Sequence, residues 1–331
     1  MNYITQHWSL GPFLILAIVV AAWHEIGLWR LARRSRPESN RERRLRSLWF
    51  YAGLVVLVLA VESPLDYWGY DYFIAHMIQH LLLMFAAPTL VVAGAPWQPL
   101  RSALDWVLPG RPGRGVTGGT PAGGWPRPLR ALGALGGFVL RPWVTVALFN
   151  AAMLVWQLPG PLDLAETNRA VHLWLMIASF FATGVLFWLQ FIPSPPFHRR
   201  MPTVSLVAAL VVTNVIMIGI AMALSIFVSN SVFSVYNHVP GVTLSPYADQ
   251  QIGAAILWVC GDFWALPATV VVIKRMIAAD GSFTAALDKV LNRDGPGSVP
   301  GGWGWAGSGP RGTAAVPRAV PSQPSPPDAE S

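Results

Sequence analysis

The chain has 331 residues, of which 53% are hydrophobic and 12% charged, with 16 Trp and a net charge of +7. Soluble domains carry about a quarter of their residues as charged side chains, so this composition excludes a soluble globular protein and points to a polytopic membrane protein. The basic residues sit in blocks between apolar runs, which speaks for membrane topology and against nucleic-acid binding, and the single cysteine, Cys260, rules out an intrachain disulfide or a cysteine metal cluster.

A helix needs roughly 20 apolar residues to cross a hydrocarbon core. Seven runs meet or approach this length: residues 10–31, 48–61, 72–95, 139–158, 170–192, 203–228 and 249–273. The second is short and extends toward Arg46 or Pro64. The first has no basic residue before it and many after it, the pattern of an uncleaved helix with its N-terminus outside rather than a signal peptide. Of the 23 Lys and Arg, 22 lie in segments 30–46, 95–141, 199–200 and 274–331, all on one side of the predicted membrane; only Arg169 lies on the other. The positive-inside rule then sets the N-terminus outside and the C-terminus in the cytoplasm. The expected fold is all-α, a polytopic membrane bundle of seven transmembrane helices. Residues 1–278 form that domain, with a Gly- and Pro-rich flexible loop at about 109–128, and residues 279–331 form a mostly disordered cytoplasmic tail with a short amphipathic piece at 283–291. There is no internal repeat, P-loop or Rossmann glycine pattern.

Polar groups collect at one predicted depth, just under the outer surface. His76 and His80 are four apart and share a helix face, with Met77 beside them. His172 and Met176 are four apart in the fifth run. Met153 and Gln157 end the fourth, Met217 and Met222 lie in the outer half of the sixth, and Asp249-Gln250-Gln251 starts the seventh. Outside loops add Glu62, Asp66, Asp71, Asp163, Glu166 and His238. Imidazole suits several transition metals and thioether sulfur selects copper(I) over zinc, so a His and Met layer facing an oxidising compartment favours copper. The candidate metal residues are His76, His80, Met77, His172 and Met176, with Asp249 as a supporting partner.

Structural roles compete with each of these. A membrane histidine often serves as an interhelical hydrogen-bonding group, Met fills gaps in apolar cores, and Asp249 is placed to cap the start of its own helix. His24 and Glu25 suit a pair or a snorkelling role at the inner end of the first helix. Cys260 reads as a packing residue, Asp262 at mid-membrane requires a partner or a cavity, and His7 and His238 face solvent.

The strings Glu62-Ser63-Pro64-Leu65-Asp66, His76-Met77-Ile78-Gln79-His80-Leu81-Leu82-Leu83 and Ala87-Pro88-Thr89-Leu90-Val91-Val92-Ala93-Gly94-Ala95-Pro96 resemble the core signature of the polytopic cytochrome c oxidase assembly factors of the CtaG type. Asp249-Gln250-Gln251-Ile252-Gly253 resembles that family's last-helix motif. The likeness covers about residues 8–275. It implies a seven-helix protein of the bacterial cell membrane that matures a heme-copper oxidase by handling exchangeable copper. The implied partners are the oxidase subunits, an extracytoplasmic copper donor and the lipid bilayer. Two departures stand out: Trp156-Gln157 replaces the family's Trp-His, and Met176 stands where a second His is usual. An unrelated single-span copper chaperone shares the family's name, and this chain does not resemble it. The competing functions are a copper permease using the same residues and a seven-helix metal-dependent hydrolase; an assembly role makes the protein a non-enzyme. A mid-membrane retinal Schiff base is disfavoured because the only lysine of the seventh run, Lys274, stands at its inner end.

Overall fold

Proline occupies the first position of helix after helix, where its missing N–H is no loss and its fixed φ suits the first turn. In the computed structural model, α1 is Pro12–Ala32, α2 is Pro37–Glu62 and α3 is Pro64–Asp71. Next, α4 is Phe73–Gly94 and α5 is Trp97–Val107. Then α6 is Pro142–Val155, α7 is Pro159–Thr167 and α8 is Arg169–Phe191. Finally, α9 is Thr203–Ser225 and α10 is Pro246–Asp280. The structure describes residues 7–33, 35–107, 135–197, 201–237, 241 and 243–280. The loop at 109–128, the piece at 283–291, nearly all of the 279–331 tail, His238 and the side chain of Asp262 lie outside the described residues. Among those described there is no β-strand, only an isolated bridge between Ser194 and Phe197.

The fold is an all-helical membrane bundle. Among the described residues five helices, α1, α2, α4, α8 and α9, are long and apolar enough to cross a membrane, and α6 with α7 makes a sixth if the bent pair is one span. The last expected span lies within α10, a 35-residue helix that is not among these. The fourth expected span also differs from a straight crossing. The chain bends by 74° between α6 and α7. Pro159 causes the break: the residue before a proline is pushed out of the α region, and Leu158 is extended at φ −80°, ψ 139°.

Close helix contact in a membrane depends on small residues. At the α2–α4 contact, a Cβ on Gly94 would stand 2.6 Å from the backbone N of Phe50, and one on Gly53 would stand 2.8 Å from the backbone N of Val91. The two helices therefore meet nearly backbone to backbone. Phenylalanines fill the space between α4, α6 and α8: Phe149 stacks on Phe187 at 4.3 Å, and Phe85 meets Phe149 edge-on at 5.7 Å.

Two helices depart from regular α winding at matching places. In α4, Leu82–Ala86 forms a π turn that starts two residues after His80, and in α8 the π turn His172–Ile177 begins on a histidine. Such turns add a residue to the helix and recur at functional sites. The carbonyl of Met84, within the first, accepts the indole N–H of Trp188 from α8 at 3.2 Å.

Candidate functional site

The first turn of α4 presents its histidines from an anchored helix end. Helix N-termini leave N–H groups without partners, and here a distant acid takes two of them. The Asp249 carboxylate of α10 accepts the N–H of Phe73 at 2.6 Å and of Ile74 at 3.1 Å. Glu62 does the same for α1, accepting the N–H groups of Gly11, Phe13 and Leu14 and the hydroxyl of Ser9. One turn beyond the Asp249 cap, His76 and His80 pack ring against ring at 4.1 Å.

Two other elements converge on this pair. The bend at Pro159 turns α7 so that Glu166 reaches the rings. Asn168 then starts α8 by accepting the N–H groups of Ala170 and Val171, which sets His172 one turn into the helix. His172 Nδ1 donates to Glu166 Oε1 at 3.1 Å, and the same oxygen lies 3.0 Å from His76 Nδ1 in a close contact not aligned as a hydrogen bond. His172 Nε2 lies 3.4 Å from Asp66 Oδ1. The Asp66 carboxylate is held in turn by the amide of Gln79, which donates at 2.8 Å while also donating to the carbonyl of Ala60, and by Arg169 at 3.4 Å. His76, His80, His172, Gln79 and Asp66 are all buried; each histidine is at most 1% exposed.

Tyr70 closes the α3 side, stacked on His172 at 5.1 Å with its oxygen 3.5 Å from the Arg169 guanidinium. Burial first, and then the charges of Asp66 and Glu166, push its hydroxyl pKa well up, so it stays protonated. On the other side Gln157 Nε2 lies 3.3 Å from Met77 Sδ and 3.5 Å from His80 Nδ1. The site thus holds three imidazoles, two carboxylates, a thioether and two amides away from water.

Many of its polar atoms have no hydrogen-bond partner: both nitrogens of His76, Nε2 of His80 and of His172, Oε1 of Gln79 and of Gln157, and Oε2 of Glu166. Buried polar atoms are paired in the great majority of cases, so this concentration fits a place that receives a polar or cationic guest. The acids and imidazoles face one another, and among the described residues no group of three or more His, Cys, Asp or Glu is arranged as a ready-made metal cage.

The sequence-derived candidates separate into two groups here. His76, His80 and His172 come together, and Met77 adjoins them through Gln157. Met176 is fully buried in the apolar core, one turn along α8 from His172. Asp249 is spent on the α4 N–H groups, so its cap serves the histidine helix rather than its own. Glu166 and Asp66, read from sequence only as acids of outside loops, are central. Gln79 falls inside the quoted histidine string, and Asp66 closes the Glu62–Asp66 string; those strings were the available signal. His24 and Glu25 do not pair directly: Tyr51 stands between them, and His24 is buried instead of snorkelling.

The family model of the cytochrome c oxidase caa3 assembly factors (Caa3_CtaG) matches residues 22–279. The chain belongs to this family. No curated protein and no solved structure gives a significant match. The match spans every helix of the site, from α3 through α8 to the Asp249 cap, so the site lies inside the part of a Caa3_CtaG protein that defines the family.

Proposed function

We propose that this Caa3_CtaG protein takes up copper(I) at the outer face of a bacterial cell membrane and hands it to a heme-copper oxidase under assembly. In this reading seven helices cross the membrane with the N-terminus outside, and an extracytoplasmic donor supplies the metal as cargo. His76 and His80 bind it through Nε2, with the Met77 thioether as a soft third group. Glu166 stands behind His76 at its Nδ1, the place a carboxylate takes beside a metal-bound histidine, and with Asp66 it holds the neighbouring His172. The observation that carries the proposal is the set of unpartnered Nε2 atoms on buried, adjacent rings. Copper(I) accepts two or three soft ligands, which suits a pair of histidines that lacks a full cage and must release its cargo. A zinc hydrolase needs three protein ligands on one metal with a water in the fourth position, and no such set stands among the described residues. Assembly, not catalysis, is therefore the role proposed.

The test is the metal content of the detergent-purified protein beside a His76→Ala/His80→Ala variant of matched stability. Near-stoichiometric copper in the parent, lost in the variant together with copper in the oxidase, is the expected result. A copper-replete, active oxidase in the variant strain overturns the proposal.

A further inference from the structure

A polar cavity lies at the arginine-rich end of α1 and α2, beside α5. Its volume is about 200 Å3, and its lining includes His24, Glu42, Arg43, Arg46, Ser47 and Gln98, so two guanidinium groups face it against one carboxylate. Arg46 lies 2.7 Å from Glu42 Oε1, and Arg43 donates to Asn40 Oδ1 at 3.2 Å. Each guanidinium has five N–H donors, so both keep donors for an anion. His24 supplies something different. The hydroxyl proton of Tyr51 goes to Glu25, so the Tyr51 oxygen, 2.9 Å from His24 Nδ1, accepts the Nδ1 proton. Nε2 then carries the lone pair, and this 1%-exposed ring leaves it without a donor.

We propose that the cavity binds a glycerophosphate group, with phosphate oxygens on Arg43 and Arg46 and a glycerol hydroxyl donating to His24 Nε2. Two cationic forks select the phosphate, and the lone imidazole acceptor selects a ligand that carries a hydroxyl as well. Basic pockets between membrane helices on the cytoplasmic side recognise anionic headgroups in this way. Phosphatidylglycerol and soluble glycerol 3-phosphate share the required chemistry. Only the choice of leaflet rests on the topology proposed above.

The experiment is native mass spectrometry of the lipid-stripped, full-length protein in neutral detergent. Phosphatidylglycerol, phosphatidic acid and phosphatidylcholine are titrated in turn, with glycerol 3-phosphate as competitor. Phosphatidylglycerol is expected to bind about tenfold more tightly than phosphatidylcholine, equivalent to ~1.4 kcal/mol, and more tightly than phosphatidic acid, which lacks the glycerol hydroxyl. Arg43→Gln/Arg46→Gln removes the first preference, and His24→Phe, which keeps a buried ring, removes the second. Displacement by millimolar glycerol 3-phosphate assigns the site to the soluble ligand, and resistance to it assigns the site to lipid. Equal binding of phosphatidylglycerol and phosphatidylcholine overturns the proposal, as does a preference that survives in the arginine variant. Should that variant not elute as folded protein, His24→Phe alone decides: an unchanged preference over phosphatidic acid overturns it. Neither copper nor oxidase enters these readouts, so the outcome is independent of the copper site.

Discussion

Glu166 Oε1 stands 3.0 Å from His76 Nδ1, and the same oxygen accepts the Nδ1 proton of His172. One carboxylate from the bent α6–α7 segment therefore reaches rings from two other helices, hydrogen-bonded to the one and in close contact with the other. Glu166→Gln removes the charge but keeps the shape. Copper affinity is expected to fall about 10- to 100-fold, the usual cost of losing a partner behind a metal-binding histidine. A competition titration against a copper(I) chelator measures it, with size-exclusion elution confirming that the variant folds.

Asp249 is a cap and not a ligand in this geometry. Asp249→Ala is expected to cost about 1–2 kcal/mol, as for other lost helix caps, and Asp249→Asn less, since the amide oxygen still accepts an N–H. Thermal unfolding in detergent reads both. Copper stoichiometry stays unchanged in Asp249→Asn; loss of copper at parental stability would instead make Asp249 a ligand.

Gln157 sits where an imidazole would meet both Met77 and His80. Gln157→His is expected to tighten copper binding by about tenfold, or ~1.4 kcal/mol, and to slow release to an acceptor. Stopped-flow transfer to a chelator tests this: faster release than in the parent would contradict the placement of the copper site beside His80.

The α2–α4 contact has no room for side chains at its two glycines. Gly94→Ala places a Cβ against the Phe50 backbone and is expected to cost about 1–3 kcal/mol by overpacking. The readout is a lowered midpoint in the same detergent melt. Gly160→Ala, where a Cβ would meet nothing within 4 Å, serves as the control.

The apolar runs were legible because a bilayer demands length and hydrophobicity in one continuous stretch, and α1, α2, α4, α8 and α9 fall where those runs do. The pairing of His76 with His80 was legible because helical spacing alone brings residues four apart together. Glu166 and Asp66 were not. Both lie in connections between spans, where no periodicity tells which way a side chain points, and their roles depend on a bend at Pro159 and on a short α3 that an apolar-run reading passes over. The target of Asp249 was hidden for a related reason. An acid at the start of a helix suits its own N-terminus, and only tertiary packing brings the bare end of α4 nearer.

That cap also imposes an order of events on biosynthesis. The ribosome makes His76 and His80 early and Asp249 late, so the N–H groups of Phe73 and Ile74 wait for their acceptor until α10 has been made. A nascent chain stopped before residue 246 carries both histidines on a helix with a loose end. Site completion is therefore among the last steps of making this protein, and a truncated product is expected to carry the histidines without a firmly held site.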